Sequence, residues 1–319
     1  MEEQVNKKNK IRITFTLAAA ALSCITCHVD KPTVSYKTKN VIIFMIDGPR
    51  YSETWGDPTH QYIPNLASIV NQGVFCTSFY NDGVTNTVNG HSAITTGYFD
   101  NLNNAGQQLP ENPSIFQYWL EKTGAQSNRA WVISTKDKLE VLANCTDPAY
   151  HDKFLARTNC GVNGLNTGYR EDTTTFRILM DVLQSYHPNL LLVNFKQPDA
   201  AGHANDWPGY IQGIRQTDIY MKQVWDFIQS DPAYAGTTTI FMTNDHGRHL
   251  DSVPLGFITH GDNCDGCRHI NLFAAGPDFK TNTFVSTRYT QVDITATIAE
   301  LLGLRMPHSN GHVMKEFFR

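Results

Sequence analysis

Thr238-Thr239-Ile240-Phe241-Met242-Thr243-Asn244-Asp245-His246-Gly247 joins a short apolar run to an acid and an imidazole set side by side. Thr239 to Thr243 has the β-branched and aromatic content of a buried strand, and Asn244 to Gly247 has the composition of the turn that leaves it. The polar pair is thereby placed at a strand tip. In open α/β sheets ligands bind in the crevice beyond the carboxyl ends of the strands, so that tip is where chemistry is expected. An Asp-His-Gly turn alone is equally consistent with being only a turn; its recurrence gives it weight.

The pattern recurs twice. Val41-Ile42-Ile43-Phe44-Met45-Ile46 stops at Asp47-Gly48, and Leu190-Leu191-Leu192-Val193-Asn194-Phe195 runs on through Lys196-Gln197-Pro198 to Asp199. Continuous apolar runs of this kind belong to parallel strands covered on both faces. Helices are expected over residues 64–73, opened by Pro64 and closed by Gly73, and over 92–96, 114–122, 173–186, 210–229 and 290–302. Residues 130–134 and 271–275 read as further strands. The alternation predicts an α/β fold, a largely parallel central sheet with helices on both faces. Residues 40–319 are expected to form a single catalytic domain, with a loop-rich insertion around 98–170 that rims a site.

The chain has 319 residues, 41% of them hydrophobic, and a formal net charge of −4. That length supports one sizeable core, and no basic stripe suggests a nucleic-acid platform. Lys7, Lys8, Lys10 and Arg12 precede an apolar segment from Ile13 to Leu22, then Ser23 and Cys24. This is the layout of a secretory signal over residues 1–23, too short for a membrane span, followed by a polar tether over 24–39. Ala21-Leu22-Ser23-Cys24 resembles a lipoprotein cleavage box and suggests a lipid anchor at Cys24, hence a periplasmic or outer-membrane-anchored bacterial protein. Cys145 and Cys160 have the spacing of a disulfide-closed loop, which would contribute roughly 3 kcal/mol. Cys264-Asp265-Gly266-Cys267 reads as a tight disulfide or as half of a zinc site, the disulfide being preferred because no second C-x-x-C is present.

Asp47, Asp199 and Asp245 all follow expected strands. Three carboxylates on neighbouring strand tips repel one another unless cations lie between them, and His203, His246 and His260 supply imidazoles nearby. Mixed Asp and His ligation suits zinc, with manganese as an alternative, and paired ions are a standard arrangement for phosphoryl chemistry.

The segments VIIFMIDG, IPNLASIVNQGV, TVNGHSAITTG, PDAAGH, NDHG, THGDN and VDITATIAELLG, in that order, resemble the alkaline phosphatase superfamily, specifically its type I phosphodiesterase and nucleotide pyrophosphatase branch. The resemblance implies a hydrolase of small phosphate esters, with phosphodiesters or pyrophosphates favoured, acting through a phosphothreonine, and the N-terminal layout adds that it is exported. It places one divalent ion on Asp199, His203 and His260, another on Asp47, Asp245 and His246, and the nucleophile at Thr87, with Thr85 as runner-up. Three residues beyond its nucleophile the family commonly has an Asn that donates to the transition-state oxygen. Here that position is Gly90, so Asn89, Lys196 or Arg268 is expected to replace the missing donor. His249 and His269 compete with His260 as ligands, and Asp262 and Asn263 are expected to orient His260. A phosphomonoesterase, a sulfatase-like hydrolase or an inactive metal-binding relative are the alternatives. Cys76-Thr77-Ser78-Phe79-Tyr80 lacks the Pro and Arg of a C-x-P-x-R sulfatase motif.

Overall fold

The computed structural model describes residues 35–319; the expected signal segment and Cys24 lie outside them. In chain order the strands are β1 (Asn40–Asp47), β2 (Val74–Tyr80), β3 (Ala130–Ser134), β4 (Arg157–Cys160), β5 (Leu190–Pro198), β6 (Thr238–Asn244), β7 (His269–Ala275), β8 (Thr283–Val285) and β9 (Tyr289–Thr290). The helices are α1 (Pro64–Ile69), α2 (Thr87–Thr96), α3 (Ile115–Thr123), α4 (Asp172–Tyr186), α5 (Asp199–His203), α6 (Trp207–Ser230), α7 (Asp265–Arg268) and α8 (Gln291–Leu302).

The strands form one sheet in the order β4-β3-β5-β1-β6-β7-β2-β8, with β9 beside β2. Its central strands β3, β5, β1 and β6 are parallel, and β7 is antiparallel to both β6 and β2. This is the expected mixed α/β architecture. Period-two side-chain alternation explains the two layers of helices. Val41, Ile43 and Met45 of β1 enter one core with Val88, Ile94, Phe116, Leu120 and Ile298 from α2, α3 and α8. Ile42, Phe44 and Ile46 point the other way, against Leu66, Leu179, Leu183, Ile214 and Met221 from α1, α4 and α6.

Several elements differ from the sequence expectation. β2 was not assigned from the sequence; it is a strand whose later half is only partly covered, so its apolar pattern is diluted. Within 98–170 the expected α3 and β3 are joined by two elements that were not expected, β4 and a 3-10 segment, Asp137–Ala143, whose Leu139, Val141 and Leu142 are core residues. The tether becomes anchored before residue 40: the Lys37 and Thr38 amides donate to Asp278 at 2.9 and 2.8 Å.

The expected disulfides are absent, and Cys145, Cys160, Cys264 and Cys267 are free thiols. Cys160 ends an edge strand and turns inward, its sulfur 3.7 Å from the Val132 carbonyl. Loop spacing did not reveal that this side chain belongs to the core.

Candidate active site

Adjacent strands place the three aspartates. β5, β1 and β6 lie side by side, and Asp47 ends β1, Asp199 follows β5 and Asp245 follows β6. Register brings Ile46 opposite Asn244 on one side and Asp47 opposite Pro198 on the other. The carboxylates therefore gather beyond one edge of the sheet.

Asp47, Asp245 and His246 are fully buried. His246 Nε2 stands 3.4 Å from Asp245 Oδ2 and 3.7 Å from Asp47 Oδ1. Its Nδ1 donates to the Gly247 carbonyl at 2.9 Å, which turns the Nε2 lone pair toward the carboxylates. Asp47 Oδ1, Asp245 Oδ2 and His246 Nε2 have no hydrogen-bond partner among the described residues. Three buried acceptors facing one space without a donor fit a cation, because leaving them bare costs the full desolvation of each. Burial pushes Asp47 up to about 6 despite Lys136. Asp245 is raised well above the carboxylate range by burial and by the charge of Asp47, and burial holds His246 neutral.

The second set is equally tight. Asp199 Oδ1 lies 3.3 Å from His203 Nε2 and 3.4 Å from His260 Nε2, and the two imidazole nitrogens are 3.0 Å apart. Ligands about 2.0–2.2 Å from a tetrahedral ion stand roughly 3.3–3.6 Å from each other, and the separations of 3.0 to 3.7 Å in the two sets lie around that range. His260 Nδ1 donates to the Thr85 carbonyl at 2.8 Å, fixing the ring. The His246 and His260 rings stack at 3.8 Å, which joins the two sets.

Thr87 is the first residue of α2, a helix in which every side chain is buried. Its hydroxyl accepts from Lys136 Nζ at 3.2 Å. The same ammonium lies 2.7 Å from Asp199 Oδ2 and 2.9 Å from Asp47 Oδ2. Burial alone would discharge Lys136, but Asp199, Asp47 and Asp245 together keep it charged. Asp199 responds in turn: burial opposes its ionisation, yet Lys136, His203 and His260 hold it well below the carboxylate range. The fully buried Arg248 also pairs with Asp199 and donates to the Ile258 carbonyl at 2.5 Å.

Lys136 and Arg248 were missed from sequence, although each carried a signal. Lys136 lies two residues beyond the tip of an expected strand, and Arg248 directly follows the Asp-His-Gly turn. Lys138 sits nearby, its Nζ 3.0 Å from Asn104 Oδ1, which also accepts the Val88 amide of α2 at 3.0 Å. Burial and then Lys136 lower Lys138 to about 8.

The expected replacement donors do not reach the cluster. Asn89 Nδ2 donates backward to the Asp100 carbonyl at 3.1 Å. Lys196 pairs with Glu171 at 3.1 Å and Arg268 with Asp82 at 2.5 Å. Lys196 follows a strand, as Asp199 does, but its side chain runs to the Glu171 carboxylate. Thr85 donates its hydroxyl to the Asp262 carbonyl at 2.8 Å. His269 is stacked between Tyr51 and Tyr80 at 4.0 and 4.8 Å, and Asp262 lies 3.1 Å from His249 instead of orienting His260.

Gly90 has a steric reason. A β-carbon there would come within 2.6 Å of the Asp245 carbonyl oxygen and 2.9 Å of the Asp245 β-carbon. The helix bearing Thr87 approaches the Asp245-His246 turn too closely for any side chain at that position.

A family model described as Sulfatase matches residues 39–304. The chain belongs to the sulfatase family. Its place in the alkaline phosphatase superfamily agrees with its structural neighbours, which share the fold at low identity. A phosphonate monoester hydrolase from Silicibacter pomeroyi is 14% identical, with a TM-score of 0.63, over 88% of this chain and 76% of that one. Murine ectonucleotide pyrophosphatase/phosphodiesterase 5 is 16% identical, with a TM-score of 0.62, over 88% of this chain and all (100%) of that one. A 2-O GAG sulfatase is 12% identical, with a TM-score of 0.65, over 87% and 73%. In sequence, a phosphopentomutase from Herpetosiphon aurantiacus is 28% identical over 138 residues, which is 43% of this chain and 32% of that protein. The chain thus matches about a third of that curated relative.

Proposed function

We infer that this sulfatase-family chain is a two-metal hydrolase of phosphate esters, with diesters or pyrophosphates favoured, in which Thr87 is the nucleophile. The observation that carries this reading is the position of the Thr87 hydroxyl at a buried helix start, bonded to an ammonium that also holds Asp47 and Asp199.

The donor sets Asp199/His203/His260 and Asp47/Asp245/His246 would hold divalent ions, zinc by ligand type and manganese as the alternative. When bound, such ions lower the pKa of a ligated hydroxyl and neutralise charge on the reacting oxygens. The residues themselves do the rest. Three ionised carboxylates against Lys136 and Arg248 leave one formal negative charge, and two divalent ions convert that to three positive. The crevice then attracts an anion. Lys136 donates to the Thr87 oxygen, favours its deprotonated form and stands where it can donate to a non-bridging phosphoryl oxygen as charge develops. It thereby takes the role left open at Gly90. Tyr169 stands beside Lys136, which lies 5.8 Å from its ring centre, and is half exposed, so it is placed to contact the leaving group. Tyr150 instead bonds Glu121 at 2.6 Å and holds its loop down.

A sulfate ester is the second reading, favoured by the family model. Export, with a lipid anchor at Cys24, completes the proposal on the evidence of residues 1–24. The test is hydrolysis of chromogenic phosphate diester, phosphate monoester and sulfate ester by the purified protein, before and after chelation, with metal content measured in parallel. Chelator-sensitive diester cleavage with about two ions on the Asp/His sets is expected. Preferred sulfate ester cleavage would overturn the substrate class, and chelator-insensitive cleavage would overturn the role of the ions.

A further inference from the structure

The loop that carries His260 closes on a second cluster, away from Thr87. His249, Asp262, Cys264 and Cys267 each present one ligand atom, and these atoms lie within 4.8 Å of one another. We propose that these four side chains form a structural zinc site that clamps residues 249–267 and so fixes His260.

The donor set is the first argument. Two sulfurs, one imidazole nitrogen and one carboxylate oxygen match the mixed soft and borderline ligands of closed tetrahedral zinc sites. Around zinc, bond lengths of about 2.0–2.3 Å place ligand atoms roughly 3.3–3.8 Å apart, a spacing that small side-chain adjustments reach from a cluster whose atoms lie within 4.8 Å of one another. The C-x-x-C half is the turn Cys264-Asp265-Gly266-Cys267, in which the Cys267 amide donates to the Cys264 carbonyl at 3.1 Å. Its other half was invisible in sequence because it consists of one His and one Asp rather than a second Cys pair.

The orientation of the ligands is the second. His249 Nδ1 lies 3.0 Å from both the Pro254 carbonyl and the Thr259 hydroxyl; the carbonyl can only accept and the hydroxyl can accept too, an arrangement that favours the proton on Nδ1 and the lone pair of the neutral ring on Nε2. Nε2 is buried, makes no hydrogen bond and stands 3.1 Å from Asp262 Oδ2. A bare nitrogen facing a carboxylate oxygen is stabilised by a cation between them. The other Asp262 oxygen is occupied by the Cys264 amide at 2.9 Å, which aims Oδ2 into the cluster. A carbonyl behind the imidazole and an amide behind the carboxylate are the supports that orient metal ligands.

The third argument is what the loop lacks. Between His249 and Thr259 its only regular element is the three-residue 3-10 turn Gly256–Ile258, and Leu255 is 66% exposed. Phe257 packs against Trp207 and Tyr210 at one end of the loop, and the stretch around Leu255 has no comparable apolar cover. The cysteine turn is pressed directly onto the Asp-His-Gly turn: the Gly247 amide donates to the Cys267 carbonyl at 2.8 Å, and a β-carbon at Gly247 would meet the Gly266 oxygen at 2.0 Å. A clamp on Cys264 and Cys267 thus sets His260 against His246. On zinc uptake both thiols release their protons to solvent, and two thiolates with one carboxylate leave the occupied site at one net negative charge.

Neither Asp/His set contains cysteine, so cobalt(II) substitution of the full chain, purified under reducing conditions, reads this cluster separately from the hydrolytic site. The expected result is a thiolate-to-cobalt charge-transfer absorption in the wild type that persists in Asp47→Asn/Asp245→Asn and vanishes in Cys264→Ser and in Cys267→Ser. In the zinc-loaded wild type both cysteines should resist alkylation and become reactive on chelation, a readout that does not require the variants to fold. Cobalt binding without a thiolate band, or alkylation of both cysteines unchanged by zinc, would overturn the proposal. So would an isolated protein lighter by two hydrogens with Cys264 and Cys267 joined.

Discussion

Lys136 Nζ donates to Thr87 Oγ1 at 3.2 Å while bridging Asp199 at 2.7 Å and Asp47 at 2.9 Å. One ammonium thus touches the proposed nucleophile and one carboxylate from each Asp/His set. Lys136→Met keeps much of the buried stem and removes the charge. The expected outcome is a fall in kcat of about 10²–10³, the usual effect of losing one donor to the developing charge. KM should change far less. Steady-state kinetics on the best ester checks this; unchanged kcat would remove Lys136 from the chemistry.

Gly90→Asn restores the side chain common to the family but places a β-carbon 2.6 Å from the Asp245 oxygen. Overpacking of this kind costs typically about 1–3 kcal/mol, and the displaced turn carries Asp245 and His246, two of the proposed metal ligands. Denaturant unfolding should show the loss, with activity reduced rather than gained. A stable and more active variant would show that α2 can retreat from β6.

Asp47 gives a prediction whose sign depends on metal. In chelated protein burial raises its folded pKa to about 6, above the ordinary value of 3.8. The folded state then holds a proton that the unfolded state has released, so the contribution of this group to stability is lost as pH rises through about 4 to 6. Asp47→Asn should therefore stabilise the chelated protein, by a larger margin at about pH 7.5 than at about pH 4.5, by up to a few kcal/mol. In metal-loaded protein the same change should destabilise, because a ligand is lost. Thermal or chemical unfolding with and without zinc decides it; the same sign in both states would contradict the metal assignment.

The fold was legible wherever burial on both faces wrote a continuous apolar run. β1, β5 and β6 were read in this way, and the acids at their ends followed from the geometry of parallel sheets. β2 and β4 were not, because partly covered strands mix polar residues into the period. Asp47, Asp199 and Asp245 were proposed from strand tips, His203 and His246 from local spacing and His260 from the resemblance, and the fold gathers all six at one end of the sheet. Lys136 was missed because Ser134-Thr135-Lys136 reads as an ordinary polar turn, and only the neighbouring β5 and β1 show what its ammonium meets. Gly90 was legible as a departure from the family, yet its cause, the approach of α2 to Asp245, exists only in three dimensions.

The most direct test of the central claim is rapid acid quench during turnover of the preferred ester, followed by peptide mass spectrometry. A phosphoryl group on the peptide bearing Thr87, absent in Thr87→Ala with its metal content retained, is the predicted result. Turnover by Thr87→Ala at the wild-type rate, or a modified peptide that excludes Thr87, would contradict it.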